Sequence, residues 1–362
     1  MPFLAVGYDG VIYASWIDPL STGGHALRFA RWSGATWTAP ETIASGNKWF
    51  VNWSDFPALS VLPDGSMLAH WLTRAPEGGT HGYGIRVAKR SVETKTWREI
   101  HGMSLDEKED YAGFLSFVPH SAGAIYLAPP AGAKPAVASH DGHGGEHRKT
   151  IRFVAFHPDG SLDRDEELDY DVCSCCPTAV AATSNGLLAA YRDHLPGEIR
   201  DISVVRRVDG KWTKPKTLHP DGWKINGCPT DGPTIASSGK NTAIAWLTRA
   251  ADVPKVQVSL SRDAGVSFRA PVRVDDGNPL GRPSITMLDP NNYLVIWLEK
   301  TDEGKADIRM RRIGVDGAKG ESRVVAPAAA ARSTGFPKVA VSGDQIIVAW
   351  RDDRVRAVLL SK

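Results

Sequence analysis

The chain has 362 residues, of which 43 are basic and 41 acidic, with 35 glycines, 24 prolines and 12 tryptophans. A balanced charge without a run of one sign leaves no electrostatic footprint for nucleic acid or an anionic membrane surface. No apolar run approaches the length of a membrane-spanning helix, so neither nucleic acid nor membrane insertion is expected. The abundance of Gly, Pro and Trp among short alternating apolar runs points instead to a turn-rich all-β protein.

One unit recurs along the chain. A Pro or an aromatic residue leads an alternating apolar strand, a turn that is often Asp-Gly, and a second strand closing on an aromatic. Residues 2–16 read PFLAVGYDGVIYASW, and the unit returns at 57–71, 114–126, 177–191, 233–246, 283–297 and 337–350. The copies are about 50–60 residues apart, the spacing of propeller blades. A third and a fourth strand follow in each unit, as in 31–40 (RWSGATWTAP) and 207–215 (RVDGKWTKP). The expected fold is therefore all-β: a single β-propeller domain over 1–362, built of four-stranded blades, seven by repeat count with six as the alternative. The last unit stops at Leu360 after three strands, so a fourth would have to come from upstream of Met1. Trp16, Trp71, Trp246, Trp297 and Trp350 recur at one blade position and read as core.

Between the third and fourth strands of the fifth unit, Ser261-Arg262-Asp263-Ala264-Gly265-Val266-Ser267-Phe268 follows the S-x-D-x-G-x-x-W/F Asp box, with degenerate versions at 90–97, 208–212 and 315–317. In such a turn the Asp side chain accepts backbone N–H bonds and the aromatic packs between strands. With this box and the repeat, the chain resembles the sialidase (BNR or Asp-box repeat) superfamily along nearly its whole length. The resemblance implies an arginine clamp for a carboxylate and a Tyr nucleophile paired with Glu. Arg192, Arg200 and Arg282 are the candidate clamps, and Tyr191 and Glu198 the candidate nucleophile and base. The pattern also departs from the family. No early Arg-Ile-Pro string is present, the nearest being Gly281-Arg282-Pro283 in the sixth unit, and Tyr191 fills a slot that is Trp in five other units.

The cysteines are the most unusual feature. Three of four lie in Cys173-Ser174-Cys175-Cys176, and Cys228 opens a matching Cys-Pro-Thr string one unit later. Loops leading into first strands and loops joining second to third strands share one face of a propeller. That places all four thiols near the axis on adjacent blades, with Tyr191, Arg192, His194, Glu198 and Arg200 close by and Trp53, Asp55, His70 and Trp223 facing a ligand. Three chemistries fit the thiols. Structural disulfides suit an exported protein. A soft-metal site, copper ahead of zinc, would use Cys173, Cys175 and Cys176 completed by Cys228 or His194. Thiol redox chemistry would use Arg192 or Arg200 to favour a thiolate.

The sequence-based expectation is an exported sialidase-like propeller, periplasmic or secreted with its leader removed. It would bind a soft metal ion, most readily copper, for metal handling or copper-centred redox chemistry. The alternatives are an exo-sialidase-like glycoside hydrolase acting on acidic sugars, and a non-catalytic scaffold stapled by disulfides that carries no metal. The partner is thus a metal ion or a small molecule. A second histidine tract, His140, His143 and His147, reads as an exposed Gly-rich loop more readily than as a metal tract.

Overall fold

The computed structural model of the protein describes residues 1–75, 82–103, 111–130, 148–301 and 304–362. The turns form for local reasons. Asp9, Asp64 and Asp159 each precede a glycine at positive φ, and each side chain accepts the backbone N–H two residues on, from Val11 (3.0 Å), Ser66 (2.9 Å) and Ser161 (2.8 Å). Glycine adopts that backbone without strain, and the carboxylate takes the place of a missing strand partner. Second strands are buried on both faces; Leu188, Ala189 and Ala190 are all fully buried. This is why they read as short continuous apolar runs bounded by turns.

The chain divides into two compact units, Phe3–Cys175 and Cys176–Lys362 with Met1–Pro2. The first holds three four-stranded antiparallel sheets. They are Phe3–Val6, Ile12–Pro19, His25–Arg31 and Glu41–Gly46; Leu59–Val61, Met67–Arg74, Tyr83–Arg90 and Trp97–Met103; and Gly113–Phe117, Gly123–Ala128, Lys149–Phe156 and Leu162–Val172. The second unit holds four. In the fourth sheet, Ala179–Thr183, Gly186–Arg192 and Ile202–Val208 are followed by two short strands, Lys211–Trp212 and Lys216–Thr217, that share the outer position. The fifth comprises Thr234–Ser238, Asn241–Thr248, Lys255–Ser261 and Val272–Arg273, and the sixth Pro279–Asp289, Asn292–Lys300, Lys305–Gly314 and Lys319–Ala329. The seventh has three strands, Lys338–Ser342, Gln345–Arg351 and Val355–Ser361. The fold is an all-β propeller of seven blades, which decides the count against six. Among the described residues the only helical turns are the 3₁₀ segments Ala250–Asp252 and Arg332–Thr334.

Each unit buries its own core. Of the recurrent tryptophans, Trp71, Trp246, Trp297 and Trp350 belong to it while Trp16 is half-buried, and Trp350 Nε1 is buried with no hydrogen-bond partner among the described residues. Trp246 Nε1 donates to Asp221 (2.7 Å) and Trp297 Nε1 to Glu299 (2.6 Å), while Trp71 stacks on Trp49 at 5.6 Å. The turn after Lys255–Ser261 is closed by Asp263, whose Oδ1 accepts from Ser267 N (2.9 Å) and Ser261 Oγ (2.7 Å). Phe268 packs against the cluster around Leu188 and Trp246.

Candidate metal centre and its surroundings

Leaving the strand Leu162–Val172, the chain passes through Asp171 in the left-handed region (φ 64°) and turns at 174–175. In an extended segment Cys176 would point away from Cys173 and Cys175; the turn removes that obstacle. The sulfurs of Cys173, Cys175 and Cys176 all lie within 4.8 Å of one another, and Cys173 Sγ is 3.8 Å from Cys175 Sγ. Cys173 and Cys176 are buried and Cys175 half-buried. Cys228 is exposed, and neither it nor His194 belongs to this group of neighbouring donor atoms. The described loop therefore offers three ligands from one short segment.

Two residues that the sequence did not single out hold this loop. Tyr111 donates its hydroxyl to the carbonyl of Ser174, between Cys173 and Cys175. Lys149, fully buried, donates to the Tyr111 carbonyl at 2.6 Å, and its ammonium sits 3.8 Å from the centroid of the Tyr111 ring. Lys149 is also paired in register with Val172, the residue before Cys173. Tyr111 also belongs to a ring stack: the Tyr83 centroid lies 4.7 Å away, and that of Phe50 lies 3.9 Å from Tyr83.

The second unit gathers the charged candidates. Arg192 is 1% exposed, and three of its nitrogens donate to backbone carbonyls: Nε to Asp231 (2.7 Å), Nη1 to Arg200 (2.6 Å) and Nη2 to Leu247 (2.7 Å). Its guanidinium lies 4.7 Å from the Trp223 ring centroid, and both residues are interior. Tyr191 is buried in the same strand. Arg200 gives Nη2 to Glu198 (2.8 Å), whose other oxygen is 3.4 Å from His194 Nε2; Nε and Nη1 of Arg200 are buried with no hydrogen-bond partner among the described residues. Arg282 donates Nη1 to the carbonyls of Ala331 (2.9 Å) and Gly335 (3.0 Å).

Arg192 and Arg282 both bond to Asp231, another group without a sequence signal. Its Oδ2 accepts Arg282 N at 2.7 Å, and its Oδ1 is buried with no hydrogen-bond partner among the described residues. Burial drives its carboxyl up to about 6, against the pull of the Arg282 amide and of the Arg192, Arg282 and Arg249 charges. Lys338 faces the same carboxylate; burial lowers its ammonium to about 7, and Asp231 pulls it back up. In the first unit, Asp55 is the counterpart. It accepts Phe114 N at 2.7 Å, and burial raises it to about 7. His70 is buried against Phe117, with Nδ1 accepting Ala58 N (3.1 Å), and burial lowers it to about 3. Trp53 is half-buried. His140, His143 and His147 lie outside the described residues.

No known protein-family profile matches the chain, and no curated protein matches its sequence. Solved structures do match its fold. The PL25 ulvan lyase bound to -[GlcA(1-4)Rha3S]- superposes with a TM-score of 0.57 at 12% identity, over 98% of this chain and 91% of that one. The GH93 α-L-arabinofuranosidase of Fusarium graminearum with arabinobiose gives 0.52 at 13% identity, over 99% and 92%. A K499G mutant of the NanB sialidase from Streptococcus pneumoniae gives 0.49 at 12% identity; there this chain covers 97% of its own length and spans 64% of that of NanB. At these identities the likeness is one of fold: the chain has the sialidase-like propeller architecture.

Proposed function

We propose that loop 173–176 binds one soft metal ion through the three thiolates of Cys173, Cys175 and Cys176, copper(I) in preference to zinc. The supporting observation is the sulfur geometry. Metal–sulfur bonds of about 2.3 Å place two thiolates on one ion about 3.8–4.0 Å apart, and Cys173 and Cys175 already stand at 3.8 Å. Copper(I) accepts three thiolates, the number this loop supplies by itself, whereas zinc takes four ligands in structural sites. Burial of two sulfurs limits access of water to the ion. A trithiolate of this kind suits metal handling or one-electron chemistry at copper.

Elemental analysis of reduced protein reconstituted with copper(I) should give one ion per chain. Cys176→Ser should lose it, while Cys228→Ser should keep it. Protein with neither bound metal nor titratable thiols overturns the proposal in favour of a disulfide-stapled scaffold.

A second reading has its own support in Asp231. A buried carboxyl raised to about 6 beside Arg282 and Lys338 is the environment of a proton-transferring acid. It fits a glycoside hydrolase acting on acidic sugars. Turnover of a fluorogenic sialoside that is lost in Asp231→Ala, with the Cys176→Ser protein still active, would promote this reading; no turnover removes it.

A further inference from the structure

We infer that Lys149, held by Tyr111, is a charge filter that biases the thiol loop toward a monovalent soft cation and against a divalent one. The inference rests on the trithiolate reading and adds its selectivity. Lys149 is a strand residue with no exposed surface, an expensive place for an ammonium unless its surroundings use the charge. Those surroundings lead to the thiols by two routes. Along the backbone, Lys149 pairs with Val172, next to Cys173. Through side chains, its ammonium lies on the ring of Tyr111, whose hydroxyl holds the Ser174 carbonyl between two of the ligands. The Tyr111 carbonyl completes the clamp at 2.6 Å, so the ammonium cannot swing away without breaking a bond and a cation–π contact.

The physics of selection is simple. Both kinds of ion meet the same three sulfurs and lose the same water-accessible space. A dication, however, carries one more unit of charge toward a fixed ammonium in a low-dielectric interior, and that unit is repelled. A trithiolate alone follows the intrinsic preferences of thiolate sulfur; the ammonium adds a bias that depends on ionic charge and not on softness. Tyr111 has a different role. It orders the loop and fixes the ammonium, so its loss should weaken every ion to a similar extent, as outer-shell hydrogen bonds to metal sites do.

The test is a competition measurement on the full chain, reduced, with copper(I) and zinc(II) each buffered by a chelator of known affinity. In Lys149→Met the copper-to-zinc affinity ratio should fall about tenfold from the wild-type value. Lys149→Arg should restore it. Tyr111→Phe should lower both affinities together by about tenfold, at an unchanged ratio. Lys149→Gln, which keeps an N–H donor for the Tyr111 carbonyl, serves where the Met variant does not fold. Equal loss of both ions in the Met and Gln variants, or an unchanged ratio, overturns the filter and reduces Lys149 to a packing residue while leaving the metal site standing. Wild-type protein that binds neither ion overturns the trithiolate reading itself.

Discussion

Asp55 and Asp231 occupy the same backbone arrangement in different units and differ in what surrounds them. Each carboxylate accepts the N–H of a residue in the left-handed region, Phe114 (φ 54°) or Arg282 (φ 56°), and each of those follows a glycine. A Cβ on Gly113 or Gly281 would come 2.4 Å from the carboxylate oxygen, so the glycine is what lets the acid approach. Beyond that shared geometry the two part company. Burial takes Asp55 up to about 7 against the pull of the Phe114 amide, with no charge among the described residues acting on it. Asp231 has Arg192, Arg282 and Arg249 pulling against the same burial and stops at about 6. The comparison separates a backbone function that both acids perform from an electrostatic setting that only one possesses. It also explains why Asp231, and not Asp55, is the acid of interest.

Arg192→Ala gives the largest expected effect, because it takes a positive charge from the Asp231 setting and strands three buried carbonyls. A loss of about 4 kcal/mol by urea denaturation is expected; a loss below about 1 kcal/mol would mean that water replaces the guanidinium and that the setting is not closed. The next effect is that of Asp55→Asn. A carboxyl raised in the folded state contributes stability that is fully present below its unfolded value, near 4, and is lost as pH rises through the folded value. Wild-type protein should therefore lose stability between about pH 4 and pH 7. Asp55→Asn should flatten that slope and, at pH 8, stand about 3 kcal/mol above wild type in urea denaturation. Asp231→Asn should show no such gain, since it leaves Arg282 and Lys338 without their carboxylate. Equal pH profiles for the two Asn variants would break the distinction. The smallest effects are those of the glycines. Gly113→Ala and Gly281→Ala should each cost about 1–3 kcal/mol by crowding the acid, with Gly281 the more affected because its φ of +98° penalises any side chain. Thermal shifts of the two variants check the order.

The sequence made the seven sheets legible because each first-and-second-strand pair carries its own punctuation. All seven predicted pairs coincide with observed hairpins, from Phe3–Val6 with Ile12–Pro19 to Lys338–Ser342 with Gln345–Arg351. The proximity of Cys173, Cys175 and Cys176 was legible for the same reason, being local. Partners far along the chain were not. Tyr111 reaches Ser174 across 63 positions and Asp231 reaches Arg282 across 51, and no pattern in either segment announces the pairing. Arg192 was read as a ligand clamp from its type; its partners are backbone carbonyls, which leave no trace in a sequence. A repeated tripeptide does not bring a repeated conformation. Cys176-Pro177-Thr178 and Cys228-Pro229-Thr230 share a tripeptide, yet Thr178 is buried whereas Thr230 adopts a left-handed backbone and Cys228 is exposed. A lysine inside an apolar strand was the one missed signal available: Lys149 leads KTIRFVAF, where a buried charge calls for a reason.

Arg192 also has a consequence for the order in which the second unit assembles. Its three acceptors lie 8, 39 and 55 residues away, so the guanidinium is satisfied only after the turn beyond its own strand, the loop at Asp231 and the strand ending at Thr248 have all arrived. Such a contact closes late, because the entropy of every intervening loop must be spent first. The energy it contributes is then absent from the transition state and present in the native state, so it raises the barrier to unfolding alone. Arg192→Ala should leave the folding limb of a chevron nearly unmoved and raise the unfolding rate, which makes this one side chain a determinant of how long the native unit persists.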